Sequence, residues 1–182
     1  MQFLKQEMDG VVLVQPNILS DERGSFSRIF CLKEFEKFGF KQNFVQANVS
    51  YNFKKGTFRG LHYQKNPYAE GKLVRCMNGA VLDIVLDLRP SSKTYLKTIQ
   101  VELSQENQAA LFIPEGCAHG FITLQDHSTV LYNHTAYYEP KSEAGVRYND
   151  PAISLKLPFA PTTISLRDQS HPLIGADFKG YL

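Results

Sequence analysis

The chain has 182 residues, of which 43% are hydrophobic and 21% are charged, and its formal net charge at pH 7 is +2. This composition is ordinary for a globular protein and argues against a disordered chain, and the small net charge gives no reason to expect nucleic acid or a membrane surface as a partner. The length predicts one domain, spanning residues 1–182.

The N-terminal segment and the cysteines both indicate a cytoplasmic protein. The start, MQFLKQEMDGVVLVQP, lacks the basic stretch and long apolar run of a signal peptide, and no apolar run approaches the roughly 20 residues of a membrane helix. Cys31, Cys76 and Cys117 are widely spaced and form no CxxC pair. This spacing argues against a disulfide framework and a zinc ribbon, so we expect three free thiols in a reducing cytosol.

Short β-rich runs follow one another along the chain, separated by Gly, Pro, Asn and Asp. In chain order they are VVLVQP, GSFSRIF, FVQANVSYN, GTFRGLHYQ, KLVRCM, AVLDIVLDL, YLKTIQVELS, AALFIP, GFITL and TVLYNHTAYY. The one convincing helix is LKEFEKF, which precedes Gly39. Ten such runs with a single short helix predict an all-β sandwich or barrel.

The run AVLDIVLDL has two different faces. Alternate positions from 80 to 88 are all apolar, whereas the opposite face carries Asp83 and Asp87 beside two valines. The run TVLYNHTAYY likewise places Tyr132, His134 and Tyr138 on one face. A mixed face of this kind either lines a polar pocket inside a barrel or meets solvent, and one strand alone leaves both possibilities open.

The segment RGLHYQKNPYAEGK gathers Arg59, His62 and Lys72 within fourteen residues, with Gly60 and Gly71 close by. Imidazole is suited to proton transfer because its unperturbed pKa lies near neutral pH. A guanidinium and an amine are suited to binding anions. Taken alone, the segment is compatible with a metal site, a phosphate site or a catalytic site.

The segment IPEGCAHGF has the P-x-G-x-x-H form of the second motif of cupin barrels, with His119 as its last residue. In metal-binding cupins this histidine joins an H-x-H pair and a glutamate. Here the first element reads His62-Tyr63-Gln64, and Glu70 lies one position beyond the usual spacing. This ligand set is poor for a transition metal, so no metal is expected.

The order of several motifs is more specific than any one of them. RGLHYQ, GKLV, VLDIVLDLR, LSQENQAALFIPEGCAHGF, VLYNHTAYYEP and YNDPAISLKLP follow one another as in the nucleotide-sugar 3,5-epimerase family, which the chain resembles from DERGSF to LRDQS. The resemblance implies a cupin-type double-stranded β-helix, or jelly-roll, barrel with short peripheral helices. It also implies a homodimer with exchanged or shared N-terminal strands, and no metal or organic cofactor.

The resemblance further implies a reaction: inversion at C3, C5 or both in a nucleotide-linked 4-keto-6-deoxyhexose, with dTDP-4-dehydro-6-deoxyglucose as the expected substrate. By matching positions, His62 is the catalytic base, Asp168 its carboxylate partner, Lys72 the group that steadies the enolate oxygen and Tyr132 the acid on the opposite face. These residue types suit the chemistry, because the reaction needs a base, an acid and a charge beside the developing oxyanion.

The family pattern also implies a set of substrate-binding positions. Arg23 and Arg59 match residues that bind the diphosphate, and Asp83 matches a carboxylate near the lysine. The other matching positions around the substrate are Phe26, Gln46, Asn48, His119 and Tyr138. His127, His134 and His171 match no functional position and are interpreted as surface or structural residues.

Arg28 departs from the family pattern and makes the nucleotide base less certain than the reaction type. The family commonly has an acidic residue there that helps to hold thymine, whereas arginine has donors and no acceptor. Arg28 therefore either favours a base that presents acceptors, such as cytosine, or turns to solvent or the diphosphate while thymine stacks on Phe26. Two further departures are Tyr148 in place of a family tryptophan and Asn133 in place of a lysine.

Three other functions remain open from the sequence. The first is epimerisation at C3 only or C5 only, including on a CDP- or GDP-linked sugar. The second is a cupin that binds a nucleotide sugar without turnover, and the third is a metal-dependent cupin oxygenase. An intact set of His62, Asp168, Lys72 and Tyr132 argues against pure binding, because binding alone needs no base opposite an acid.

Overall fold

The structure, a computed structural model, describes residues 1–40 and 43–181, so positions 41, 42 and 182 of the predicted domain lie outside the described residues. Its elements are β1 (Gln2–Lys5), β2 (Val12–Gln15), β3 (Ile18–Asp21), β4 (Gly24–Ser27), α1 (Leu32–Phe38), β5 (Gln46–Asn52), β6 (Thr57–Gln64), β7 (Lys72–Asn78), β8 (Ala80–Asp87), β9 (Thr98–Ser104), β10 (Ala110–Ile113), β11 (Cys117–Thr123), β12 (Ser128–His134), β13 (Glu143–Gly145), β14 (Thr163–Ile164) and α2 (Leu166–Ser170). Each of the ten predicted β-rich runs overlaps a strand, and the predicted helix is α1.

The strands form two large sheets and one small ribbon. The first sheet has the order β1-β2-β10-β7-β12-β5. The second has the order β13-β6-β11-β8-β9, with β14 pairing in parallel with β6. Strands β3 and β4 form a separate antiparallel hairpin. The architecture confirms the all-β prediction, and strands distant in sequence become neighbours in each sheet.

The two faces of β8 are both buried, but against different parts of the molecule. Val81 and Val85 belong to a cluster shared with residues of β7, β10, β11 and β12, which lies between the two large sheets. Ile84 and Leu86 instead pack with residues of the C-terminal segment, which covers the outer face of the second sheet. The mixed face of β8 therefore lines the interior, and it carries the fully buried Asp83 there.

Helix α1 covers the outer face of the first sheet. Its Phe35 is 2% exposed and packs with Val14 of β2, Leu73 of β7 and Phe112 of β10 in a third apolar cluster. The helix ends at Gly39, whose φ of 110° is in the left-handed region that glycine adopts readily. Within the described residues, no helix has the length and apolar character needed to span a bilayer.

Candidate active site

A cavity of about 700 Å³ lies between the two large sheets, within the size range of small-molecule sites. Its walls come from β5, β7 and β12 of the first sheet, from β6 and β11 of the second, and from α2. Eight of the predicted site residues line it: Asn48, Arg59, His62, Lys72, His119, Tyr132, Tyr138 and Asp168.

Two glycines explain how Arg59 and His62 both reach the cavity from one strand. Residues three apart in a regular strand point to opposite faces of its sheet. Between Arg59 and His62, however, the pairing of β6 with β11 has a register shift, so that three steps along β6 match two along β11. Gly60 in this bulge has a φ of 127°, and a Cβ there would lie 2.5 Å from the Cα of Gly120. Glycine therefore permits the bulge that turns both side chains to the cavity.

His62 and Asp168 form a hydrogen-bonded pair in the cavity wall. His62 Nε2 lies 2.8 Å from Asp168 Oδ1, and the Gly60 N–H donates to Asp168 Oδ2 at 3.2 Å. Ser165 caps α2 by accepting from the backbone N–H of Asp168, which places the carboxylate. Burial alone raises the pKa of Asp168, but the hydrogen bond and charge of His62 outweigh it and hold the pKa below its usual value. Because Asp168 engages Nε2, the ring nitrogen that remains for proton transfer is Nδ1.

A second imidazole, that of His171, packs beside this pair. The rings of His62 and His171 have centroids 5.9 Å apart and cross at 72°. Burial and the charge of His62 lower the pKa of His171, and its Nε2 is buried without a hydrogen-bond partner among the described residues. Potential ligand atoms of His62, Asp168 and His171 lie within 4.8 Å of one another. These are ligand types that zinc accepts, but His62 and Asp168 use their facing atoms to bind each other.

The side chains at the cupin metal-ligand positions have other partners. Glu70 Oε2 lies 2.7 Å from Nδ1 of His134, and His119 Nε2 lies 2.8 Å from Asp83 Oδ1. The amide nitrogen of Gln64 donates to a backbone carbonyl at 2.9 Å. Among the described residues, the one cluster of His, Cys, Asp or Glu side chains with converging ligand atoms is that of His62, Asp168 and His171.

Tyr132 and Lys72 reach the cavity from the first sheet, opposite His62. Burial raises the pKa of the Tyr132 phenol far above its usual value, so the phenol keeps its proton near neutral pH. The Lys72 side chain is only 8% exposed, and its Nζ donates to the backbone carbonyl of His62 at 3.3 Å. A protonated phenol and a cation therefore share one cavity with the carboxylate-paired imidazole.

His119 and Asp83 form another imidazole–carboxylate pair. The His119 ring lies 5.8 Å from the ring of Tyr132, measured between centroids. Burial raises the pKa of Asp83, although the charges of His119 and Lys72 act in the opposite direction. The pair holds His119 beside the predicted acid, and Asp83 lies behind it rather than in the cavity wall.

The edge of the cavity contains a hydrogen-bonded group around Tyr138. Its hydroxyl donates to Glu143 Oε2 at 2.7 Å, and Arg167 donates to the other oxygen of Glu143. Gln46 accepts from the Tyr138 backbone N–H at 3.1 Å and donates to Asn48 Oδ1 at 3.4 Å. Gln46 thus supports two residues of the cavity wall without lining it.

Three predicted substrate-binding residues lie outside the cavity of their own chain, on or next to the β3–β4 hairpin. The Arg23 side chain is 86% exposed and binds Asp21 at 2.6 Å. Phe26 is 71% exposed. Arg28 Nη1 donates to Glu34 Oε1 of α1 at 3.0 Å. The single chain therefore does not bring these residues to the other site residues.

Among the cavity residues that were not predicted, four carry a carboxylate, imidazole or guanidinium group: Glu70, His134, Glu143 and Arg167. His134, which matched no functional position, is 8% exposed and shares strand parity with Tyr132, a signal that the sequence did contain. Arg167 is adjacent to Asp168. Glu143 has no comparable signal, because its place depends on the pairing of the three-residue strand β13 with β6.

Comparison with known proteins identifies close relatives. Residues 5–175 match the family described as dTDP-4-dehydrorhamnose 3,5-epimerase. A dTDP-4-dehydrorhamnose 3,5-epimerase of Salmonella typhimurium is 42% identical over 176 residues, which cover 96% of each chain.

Solved structures match closely as well. The dTDP-6-deoxy-D-glucose-3,5-epimerase of Legionella pneumophila in complex with dTDP-4-keto-L-rhamnose has a TM-score of 0.90 and 36% identity, covering 94% of this chain and 92% of that one. ChmJ, a 3'-monoepimerase from Streptomyces bikiniensis in complex with dTDP-quinovose, has a TM-score of 0.86 and 29% identity, covering 92% and 85%. These matches confirm the predicted cupin-type jelly-roll fold.

Proposed function

Since the chain belongs to the dTDP-4-dehydrorhamnose 3,5-epimerase family, a family of isomerases, we propose that it inverts C3 and C5 of dTDP-4-dehydro-6-deoxyglucose. In this proposal His62 removes each proton and Tyr132 returns one to the opposite face. The observation that carries the proposal is the carboxylate-paired imidazole of His62 and the protonated phenol of Tyr132 on the two sheets that enclose one cavity.

The C4 ketone of the substrate supplies the electron sink. When His62 Nδ1 takes the proton from C3 or C5, the electron pair of that C–H bond forms the enolate and its charge collects on O4. Lys72 provides positive charge beside this oxygen, a type of stabilisation worth about 10²–10³ in rate. Reprotonation from Tyr132 on the other face inverts the carbon and leaves an imidazolium and a phenolate. Proton exchange with solvent restores both groups before the next inversion, and no oxidant or reductant is needed.

The pair of His62 and Asp168 suits the role of base. An ionised Asp168 accepts from Nε2, which keeps the ring oriented and stabilises the imidazolium once Nδ1 has taken a proton. The raised pKa of Tyr132 suits the role of acid, because a phenol that stays protonated in the ground state still has a proton for a carbanion.

We propose a homodimer in which a second copy completes the nucleotide end of the site. Arg23 and Phe26, matched to the diphosphate and the substrate, are exposed outside the cavity of their own chain. Strand β5 is an edge of the first sheet, and its Val49 and Tyr51 are 49% and 68% exposed. Proteins usually cover an exposed apolar sheet edge with another surface. In the proposed dimer, the β3–β4 hairpin of the second copy covers this edge beside the cavity.

The contacts of Arg28 support a thymidine-linked substrate. Its guanidinium donates to Glu34 on the same chain, so it is already paired and need not read the base. The named substrates of the relatives above are likewise dTDP-linked. The alternative, a CDP-linked sugar read by Arg28, requires this pair to open.

Inversion of both centres is preferred over a single inversion because identity to the 3,5-epimerase of Salmonella typhimurium is 42%, against 29% to the 3'-monoepimerase ChmJ. The test is incubation with dTDP-4-dehydro-6-deoxyglucose in D₂O, with deuterium at C3 and C5 read by NMR. Wild type should exchange and invert both carbons. His62→Ala should lose exchange at both while still binding dTDP.

Tyr132→Phe serves as the matched variant in the same assay. It should still allow the enolate to form, so deuterium uptake on the face of the base survives while inversion is lost. Wild-type exchange by His62→Ala would remove His62 from the role of base. Exchange at C3 alone in the wild type would make the chain a monoepimerase, and binding without any exchange would leave only a nucleotide-sugar-binding cupin.

A further inference from the structure

A hydrogen-bond chain runs from the edge of the cavity towards Lys72, and its direction follows from its first donor. The backbone N–H of Tyr138 can only donate, so the Gln46 atom that it contacts at 3.1 Å is the amide oxygen. The amide nitrogen of Gln46 then donates to Asn48 Oδ1 at 3.4 Å. This leaves the amide nitrogen of Asn48 facing His134 Nε2 at 3.2 Å.

This series of hydrogen bonds determines which ring nitrogen of His134 carries the proton. Because an amide nitrogen has no acceptor, Nε2 of His134 must accept from Asn48 and carries no proton. The ring proton is therefore on Nδ1, which lies 2.7 Å from Glu70 Oε2. Burial raises the pKa of Glu70, but the hydrogen bond of His134 and the charge of Lys72 outweigh it and keep the pKa below its usual value. An ionised Glu70 accepts the Nδ1 proton.

The contact with His134 determines which oxygen of Glu70 can bind Lys72. One carboxylate oxygen is held by His134, so only the other, at 3.2 Å from Nζ, binds the ammonium. The side chains of Glu70, Lys72 and His134 are 8–10% exposed, so water does not replace these contacts easily. His134 and Lys72 are also direct partners in the pairing of β12 with β7.

Lys72 has few donors, so its contact with Glu70 affects how many of them remain for a ligand. An ammonium has three N–H donors. Among the described residues, the carbonyl of His62 accepts from one of them, and Glu70 Oε1 forms an ion pair with Nζ at 3.2 Å. At least one donor therefore remains for a ligand in the cavity. A Glu70 that had lost its His134 contact could turn both oxygens to Lys72 and occupy that remaining donor.

We infer that His134 is a positioning residue, which acts through Glu70 to keep one N–H of Lys72 directed at the carbonyl oxygen of the substrate. This inference rests on the proposed function, because it needs Lys72 to stabilise an enolate. It assigns His134 a part in the reaction without contact with the reacting atoms.

The first test compares two substitutions of similar size. His134→Leu removes the donor to Glu70, whereas His134→Asn keeps an N–H near the place of Nδ1. His134→Leu should lower kcat about tenfold to hundredfold, the effect expected for one hydrogen bond to a charged group, with KM and dTDP affinity unchanged. His134→Asn should recover most of the rate. Equal losses in both variants, or a loss confined to KM, would overturn the inference.

A double-substitution cycle tests whether His134 acts through Glu70. In a Glu70→Gln background, His134→Leu should change kcat by less than about twofold, because the carboxylate that it positions is gone. Independent, multiplying losses would show that His134 acts by another route.

One readout does not depend on turnover. Nitrogen-15 NMR of the histidine rings in the protein without substrate should show a proton on Nδ1 of His134 and none on Nε2. A proton on Nε2 would contradict the hydrogen-bond chain. If the wild-type protein fails to exchange deuterium into substrate while this tautomer is observed, the proposed function is wrong, but the hydrogen-bond chain from Tyr138 to Glu70 is still supported.

Discussion

The predicted functional residues of the cavity are buried and hydrogen-bonded, whereas those of the β3–β4 hairpin are exposed. In the cavity, Lys72 and Asp168 are buried and both contact His62 of β6, and burial raises the pKa of Tyr132. On the hairpin, Arg23 and Phe26 are 86% and 71% exposed in their own chain. The candidate acid–base groups are thus ordered within one chain, whereas the groups matched to the nucleotide end are not.

The roles proposed for the two groups of residues account for this difference. Electrostatic stabilisation of an enolate depends on charges held in place before the reaction, in a site with little water. A buried pair such as Lys72–Glu70 is costly to break, so it keeps its geometry. The exposed pair of Arg23 with Asp21 contributes little and can be exchanged for a diphosphate. Under the proposed mechanism, a single chain preorganises the acid–base groups, and the nucleotide end of the site is completed only in the proposed dimer.

The largest expected effect is at the cavity, from Asp168→Asn. The amide cannot stabilise an imidazolium and can hold the ring in the wrong tautomer, so kcat should fall by about 10²–10⁴. Affinity for dTDP, measured by calorimetry, should stay within about twofold because Asp168 does not belong to the nucleotide end. A weakened affinity with unchanged kcat would show that the cavity and the hairpin are not separate in function.

A smaller effect, on binding instead of kcat, is expected from Arg23→Ala on the hairpin. Loss of one charge-assisted contact to the diphosphate should raise KM roughly tenfold to hundredfold while thermal stability stays unchanged. A fall in kcat at saturating substrate, with KM unchanged, would place Arg23 with the acid–base groups.

Mixing two defective proteins sharpens the same prediction. At limiting substrate, the His62→Ala and Arg23→Ala proteins should each have low activity. If a partner hairpin completes each site, random exchange of subunits between them should restore up to about a quarter of the wild-type activity. One site of the mixed dimer then has an intact His62 and an intact Arg23. No recovery after verified subunit exchange would mean that the hairpin serves its own chain.

The smallest effect is expected from Arg28→Glu, the control for the hairpin. Since Arg28 pairs with Glu34 and is 65% exposed at its side chain, its replacement should change dTDP affinity by less than about twofold. The measurement compares dTDP with CDP by calorimetry for wild type and variant. Preferential binding of CDP by the wild type, lost on substitution, would show that Arg28 reads the base.

Strand content was predictable from the sequence because it depends on short-range patterns, whereas the candidate acid–base residues came from the resemblance of the motif order to a known family. All ten β-rich runs overlap strands, and LKEFEKF before Gly39 forms α1, since alternation of side chains and a glycine C-cap are local properties. The motif order brought together His62, Lys72, Tyr132 and Asp168 by resemblance, and all four line one cavity in the structure.

The very short elements were not predictable. Strands β1, β3, β13 and β14 have two to four residues each, too few for alternation to stand out, and β13 and β14 are defined only by their pairing with β6. The placement of Glu143 at the edge of the cavity followed from that pairing alone. The same holds for the second buried face of β8, which exists because the C-terminal segment covers it.

By itself, the sequence determined the all-β class, the order of strands along the chain and the identities of the candidate base, acid and lysine. Only the tertiary structure decided that Gly60 and Gly120 turn Arg59 to the same cavity as His62, and that His134 meets Glu70 across 64 positions of chain. The physical reason is register. A contact between distant strands exists only once the packing of both sheet faces has selected one alignment, and a shift of one residue would turn His134 away from Glu70.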